Sequence, residues 1–204
     1  SSISFQYRHN AGQETRIDPS VSNIVDIYML ERTYDNLFRV WLQDGGTKPD
    51  ASTSDQMRIS YSGKLNPLKS LSDQIVYHPV KYKILFGSNA DEELQATFKV
   101  VKNTKTNVTD AVIKTRVIAA INEFFALDNW DFGDAFYFTE LAAYVHNQLA
   151  PDLLTAVIVP NQAGQTFGSL FQINSAADEI FISGATVDDV SIITALGANQ
   201  LASS

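Results

Sequence analysis

The chain has no cysteine, which excludes disulfides and any thiolate metal site. It does not fix a compartment. Histidine is scarce: His9, His78 and His146 are the three, and no pair stands at a metal-ligand spacing. Positive charge is sparse and scattered. Fifteen Lys and Arg face 23 Asp and Glu, giving a formal net charge of -8. The densest basic group is Lys81 with Lys83, so no basic stripe exists to neutralise phosphates, which argues against a nucleic-acid partner. No apolar run reaches the roughly 18 residues of a membrane span, so no membrane partner is expected. There is no Gly-x-Ser-x-Gly elbow. Gly87-Ser88 follows a strand pattern, but no second glycine and no Lys-Ser or Lys-Thr pair follows to cradle a phosphate. Internal repeats and low-complexity tracts are missing as well. The start, Ser1-Ser2-Ile3, has neither Met nor a signal-peptide pattern, and we expect a piece of a longer chain. Asn107-Val108-Thr109 matches the glycosylation sequon, and without evidence of secretion chance is the favoured reading.

What is present is enough for a core. At 204 residues and 45% hydrophobic content, one domain or two small packed ones are expected. The organising stretch is Asp110 to Pro160. Ile113, Val117, Ala120, Ile121 and Phe124 recur on one face of a long helix pattern. An aromatic loop, Asp128-Asn129-Trp130-Asp131-Phe132-Gly133-Asp134, follows. Thr139 is read as the N-cap of a second helix, with Glu140 in its first turn and Leu141, Val145 and Leu149 as its stripe. Leu153 to Val159 is short and apolar, as a buried strand is.

Upstream, Ile3, Phe5 and Tyr7 alternate as an edge strand would, and Arg16 to Ser20 is a turn set by Pro19. Asn23 to Leu30 is a strand with Val25, Ile27 and Met29 on one face. Thr33 is read as the cap of a helix whose Tyr34, Leu37, Phe38, Trp41 and Leu42 suit core packing. Gln43 to Ser54 is a Gly- and Pro-bearing loop, and a short helix from Ser54 or Asp55 is expected to run through Tyr61 and end at Gly63. Gln74 to Gly87 reads as a half-buried strand and Leu94 to Val101 as its return, the two forming a long hairpin. After Pro160 the pattern is β, with candidates at Phe167 to Ile173, Glu179 to Ser183 and Val190 to Ile193, and a tail from Ala195 that frays.

Asp128, Asp131 and Asp134 could offer hard oxygens to calcium. Their spacing departs from the EF-hand loop, and Trp130 and Phe132 interrupt the acids. The favoured reading is structural: the carboxylates satisfy loop amides, Gly133 takes a shape other residues resist, and the aromatics seal the helix end. His78 is expected in a structural hydrogen bond and His146 at the surface. Glu92-Glu93 and Asp188-Asp189 read as solvated turns. Trp41 and Trp130 are assigned to the core in preference to a binding site. No catalytic constellation emerges, and neither enzymatic activity nor a cofactor is expected.

Two stretches together carry a family resemblance. Lys64 to Ile84 (KLNPLKSLSDQIVYHPVKYKI) resembles the segment of baseplate J-like proteins in which a break is followed by a strand. Asp110 to Pro160, with its helix, Gly133-Asp134, Phe138-Thr139-Glu140-Leu141, second helix and apolar strand, resembles the segment that follows it. The Asn23 to Leu30 strand fits the one that precedes the family's helix. The chain is most similar to the C-terminal part of the baseplate wedge proteins of T-even-type contractile-tailed bacteriophages, over roughly Arg16 to Val159. The β-rich end departs from the shortest family members. The resemblance implies a non-enzymatic virion protein of the tail baseplate, made in the host cytoplasm. It would join copies of itself and other wedge proteins into a ring around the tail hub. Fold alone would not license that function. A metal-dependent binding module and a host-surface adhesin are the alternatives.

The expected fold is therefore α+β, a mixed sheet with helices packed on one face (β-α, then β-β-α-α-β) and a β-rich C-terminal extension. The expected segments are 1–48 (strand and helix), 49–74 (loop and short helices), 75–160 (central domain) and 161–204 (extension). A ring-former needs unfinished surface, and the strands at 165–184 carry almost no charge. Phe167, Leu170, Phe171, Ile173 and Phe181 are thus candidate contacts with another copy or another wedge protein. The competing reading has both strands pairing inside the domain.

Overall fold

Alternating apolar residues and two helical stripes fold here into an α+β chain. The structure, a computed structural model, describes residues 24–65, 74–161 and 172–194. Strand β1 (Ile24–Met29) leads into helix α1 (Arg32–Asp44) and helix α2 (Ser54–Leu65). Strands β2 (Gln74–Pro79), β3 (Lys81–Leu85) and β4 (Ala96–Lys102) follow. Helix α3 (Asp110–Phe124), strand β5 (Ala135–Tyr137), helix α4 (Phe138–Leu149) and strand β6 (Leu153–Pro160) form the middle. Strands β7 (Gln172–Asn174), β8 (Glu179–Ser183) and β9 (Val190–Ile193) end the described chain. The expected strand at Ile3 to Tyr7, the turn at Pro19, most of Phe167 to Ile173 and the tail from Ala195 lie outside the described residues.

The expected hairpin does not form. β3 pairs in parallel with β8, and β4 lies between β6, antiparallel to it, and β9, parallel to it. The segment between β3 and β4 is not a turn that folds one strand back on the other. Phe86 adopts φ 64 and Gly87 φ 72, and a 3-10 turn at Glu92–Leu94 intervenes. β8 and β9, read from sequence as part of an extension, instead pair with the central strands. β1 and β2 pair in parallel as a separate ladder, and β5 pairs with β7.

Residues 74–85 are nearly one strand with a change of partner at Val80. The Val80 amide donates to Met29 O at 2.9 Å, and the next amide, Lys81, donates to Asp178 O at 2.9 Å. Successive amides of a strand point to opposite edges, so β1 and β8 flank this ribbon from opposite sides.

Two cores result. The larger gathers α1, α3, α4 and the central strands around Phe38, Phe86, Phe98, Phe136 and Phe181. The smaller holds Ile27, Met57, Leu65, Ile75 and Tyr77 between the β1–β2 ladder and α2. α2 runs through Gly63, where a stop was expected, and ends at Leu65, which is buried in this smaller core. Burial of that side chain outweighs the roughly 1 kcal/mol that glycine costs a helix. The stripes of α3 and α4 are buried as expected at Ile113, Val117, Ala120, Ile121, Leu141, Val145 and Leu149. Thr109 caps α3, accepting from the Val112 amide at 3.4 Å. The expected Thr33 and Thr139 caps are absent: α1 starts after Glu31 and α4 after Tyr137, neither with a side-chain cap bond.

The turn from α4 into β6 is tied down by Asp152, which accepts from Thr106 Oγ1 at 2.5 Å and from Arg116 at 2.7 Å. Those two bonds, Thr106 first, hold its carboxyl below the ordinary aspartate value. A depressed folded value gives stability that is complete above the unfolded pKa of about 3.9 and fades as pH falls through the folded one. Asp152→Asn should therefore lower Tm at pH 6, and that deficit should shrink as pH is taken below the ordinary aspartate value of about 3.9. A deficit independent of pH would show that ionisation of Asp152 contributes nothing.

Candidate interaction surface

The Asp128–Asp134 loop is built from the end of α3. Trp130 Nε1 donates to Phe124 O at 2.7 Å, and its ring stacks on Phe125 at 5.5 Å between centroids. Asn129 donates to Glu123 O at 2.9 Å. Together these satisfy carbonyls that the last turn of a helix leaves open. Gly133 takes φ 78, with its amide on Glu179 O. Asp134 Oδ2 accepts from the Asp131 amide at 2.8 Å, and its backbone oxygen accepts from both Ser175 N and Oγ. The loop is thus a clasp between α3 and the segment before β8. Among the described residues no group of three or more His, Asp or Glu could hold a metal ion, and Asp128, Asp131 and Asp134 are not gathered around one point.

The candidate contacts divide. Phe167, Leu170 and Phe171 lie outside the described residues. Ile173 and Phe181 are 7% and 2% exposed, which corrects their assignment to an interface. β8 is paired with β3, and the Phe181 ring meets Trp130 at 5.2 Å and Phe136 at 6.2 Å. A side chain enclosed by its own chain cannot reach a second one. The low charge of this strand reflects a core position, the alternative weighed from the sequence.

His78 does make its structural bond, with Nε2 3.0 Å from Asp26 Oδ1 across the β1–β2 ladder and Tyr28 stacked on its ring at 4.6 Å. These three side chains occupy the face of the ladder opposite Ile27, Ile75 and Tyr77. His146 is half-buried rather than at the surface, and its Nδ1 is enclosed without a hydrogen-bond partner. Leu37, expected in the core, is exposed beside Val40 on α1. The helix stripe is narrower than the sequence suggested because α1 meets the core along Tyr34 and Phe38 alone at full burial.

Sequence reasoning missed the network on α1 and β3. Asp35 Oδ1 accepts from Arg39 Nε at 2.6 Å and from Tyr82 Oη at 2.5 Å, and Arg39 also donates to Tyr82 Oη at 3.2 Å. The Tyr82 amide donates to Tyr34 Oη at 3.3 Å. The i, i+4 spacing of Asp35 and Arg39 was visible, but Tyr82 is remote in sequence and only the fold delivers it. Burial first, then the bond to Asp35, raises the Tyr82 phenol above its ordinary value of about 10. It stays protonated and serves as a donor. Beside the network is a cleft of about 460 Å³ lined by Tyr34, Lys48, Pro49, Thr53, Lys81 and Tyr82. Lys48 Nζ lies 5.6 Å from the Trp41 ring centroid, a cation–π distance. The cleft's lining also includes Asp50 and Ser52, so hydroxyl, carboxylate and ammonium groups share it.

No protein-family model matches the chain, and no curated protein matches it.

Proposed function

We propose that this chain is a structural virion protein of a contractile phage tail baseplate, a wedge component joining copies of itself and other wedge proteins into a ring. One observation carries the reading. Asp110–Pro160, one of the two stretches that carry the resemblance, uses its polar groups to hold a shape. Its tryptophan, its loop asparagine and Asp134 are bonded to loop and helix-end backbone, and Asp152 locks the turn into β6. An assembly part needs rigid elements with little reorganisation on binding, because ordering a loop at an interface subtracts from affinity. No observation favours the metal-module or adhesin alternatives over this one.

The test is incorporation. A tagged copy of the chain, within the longer protein where one exists, should co-purify with assembled contractile tails. Particle images should then place its density in the baseplate. Tails that assemble fully without the protein, and never contain it, would overturn the proposal.

A further inference from the structure

We propose that the outer edge of β6 pairs antiparallel with β6 of a second copy, about a two-fold axis at Val157. This names a self-association surface for the assembly reading and rests on that reading, but it makes a claim about the isolated chain.

β6 stands at the end of the sheet order β6-β4-β9, and among the described residues no strand pairs with its outer edge. The direction of its amides follows from two facts. Asn161 N donates to Gln95 O at 3.1 Å on the β4 side, and Pro160, which has no amide hydrogen, lies opposite Ala96. Period-two alternation then turns Thr155, Val157 and Val159 toward β4, and Ala156 and Ile158 outward. Pro160 sits where the missing donor costs the ladder nothing, as proline does in edge strands.

Edge strands of monomers are usually blunted by charge, proline or a bulge. β6 has its blunting at the two ends: Pro160, and the register shift between Val101 and Lys102, which leaves Leu154 as the extra residue, 55% exposed. Thr155 to Val159 between them has none. The occupant follows from charge. The chain carries a net charge of -8, yet no charged residue occurs between Asp152 and Asp178. Copies repel over most of their surface and meet without like-charge opposition at this strand. Pairing about Val157 sets Ala156 opposite Ile158 of the mate, and the outward donors and acceptors of both copies satisfy each other. An isologous contact of this kind uses one surface twice.

The test uses the full 204-residue chain. Sedimentation velocity across a concentration series should show a monomer–dimer equilibrium. Ala156→Pro removes an outward donor while sparing the inward ladder, and should raise the dimer Kd at least about tenfold. Val157→Glu sets two carboxylates face to face across the axis, while within its own chain the new carboxylate lies opposite Lys99. It should abolish the dimer at pH 7 and recover it in part at pH 4. Because Ala156→Pro could fail to fold, Val157→Glu decides in that case. Residue-resolved hydrogen exchange should show the Ala156 and Ile158 amides protected only as the dimer forms. Protection independent of concentration would mean that another part of the same chain covers the edge, and would overturn the proposal. So would a wild-type chain monomeric at every concentration, or folded variants that dimerise like wild type. Failure to enter tails, with the dimer intact, would instead count against the baseplate reading alone.

Discussion

Gly87→Ala should lower the melting temperature by about 4–20 °C, one of the largest effects of any single methyl group in the chain. A Cβ at position 87 would lie 1.9 Å from Gly184 O and 2.6 Å from Gly184 C. Both are backbone atoms, and they cannot swing aside as a side chain would. The Gly184 amide is itself bonded to Leu85 O at 2.8 Å, so the two segments are held together where β3 and β8 end. The backbone at Gly87 has φ 72, which costs an L-residue about 1–2 kcal/mol, and forced repacking adds about 1–3 kcal/mol. The sum is about 2–5 kcal/mol, and a domain of this size loses about 2–4 °C per kcal/mol. Gly46→Ala is the internal control: φ is 99 there, but nothing lies within 4 Å. It should cost only the backbone penalty, about 1–2 kcal/mol. Equal thermal shifts for the two variants would show that the close approach of Gly87 to Gly184 does not exist in solution.

Phe181→Lys should yield no folded protein. The ring is 2% exposed and bordered by Phe125, Trp130 and Phe136. Lysine there loses a large apolar contact and encloses an ammonium without a partner, a change that costs more than about 4 kcal/mol. Native stabilities are only about 5–15 kcal/mol in total. Phe181→Leu keeps the pocket apolar and should retain near-native near-ultraviolet dichroism with a modest fall in Tm. A soluble, folded Phe181→Lys that merely failed to associate would place the ring at a surface and restore the reading made from the sequence.

The course of Phe181 from interface candidate to core residue shows what the sequence could express. β8 and β9 were found at their observed limits, and β1, β6, α3 and α4 within a residue or two, because period-two and period-3.6 patterns are local signals. The role of the aromatic loop was legible for the same reason: Trp130, Gly133 and Asp134 act within a few residues of where they stand. Pairing was not legible. β3 with β8 and β4 with β9 are joined across more than 90 residues of sequence, and alternation says which face of a strand is buried but not by what. β5, three residues long, lacks the length to show a period. The Tyr82 to Asp35 bond belongs to the same class, since neither residue carries a local sign of the other. A strand charged only at its first residue is equally compatible with an open edge and with a core, and the ring contacts of Phe181 separate the two.

The partner change at Val80 bears on how the chain could move. At Val80 the strand passes from the smaller core to the larger one, with the Val80 amide bonded to Met29 and the next amide bonded to Asp178. A hinge needs residues free to absorb a change in φ and ψ, and this junction has none to offer. Tyr61 adds a brace, donating to Glu31 Oε1 at 3.0 Å from α2 to the start of α1. The β1–β2–α2 unit is therefore held to the rest of the described chain both by the β2–β3 ribbon and by this brace, with Tyr28 and His78 stacked on the ladder face away from its own core.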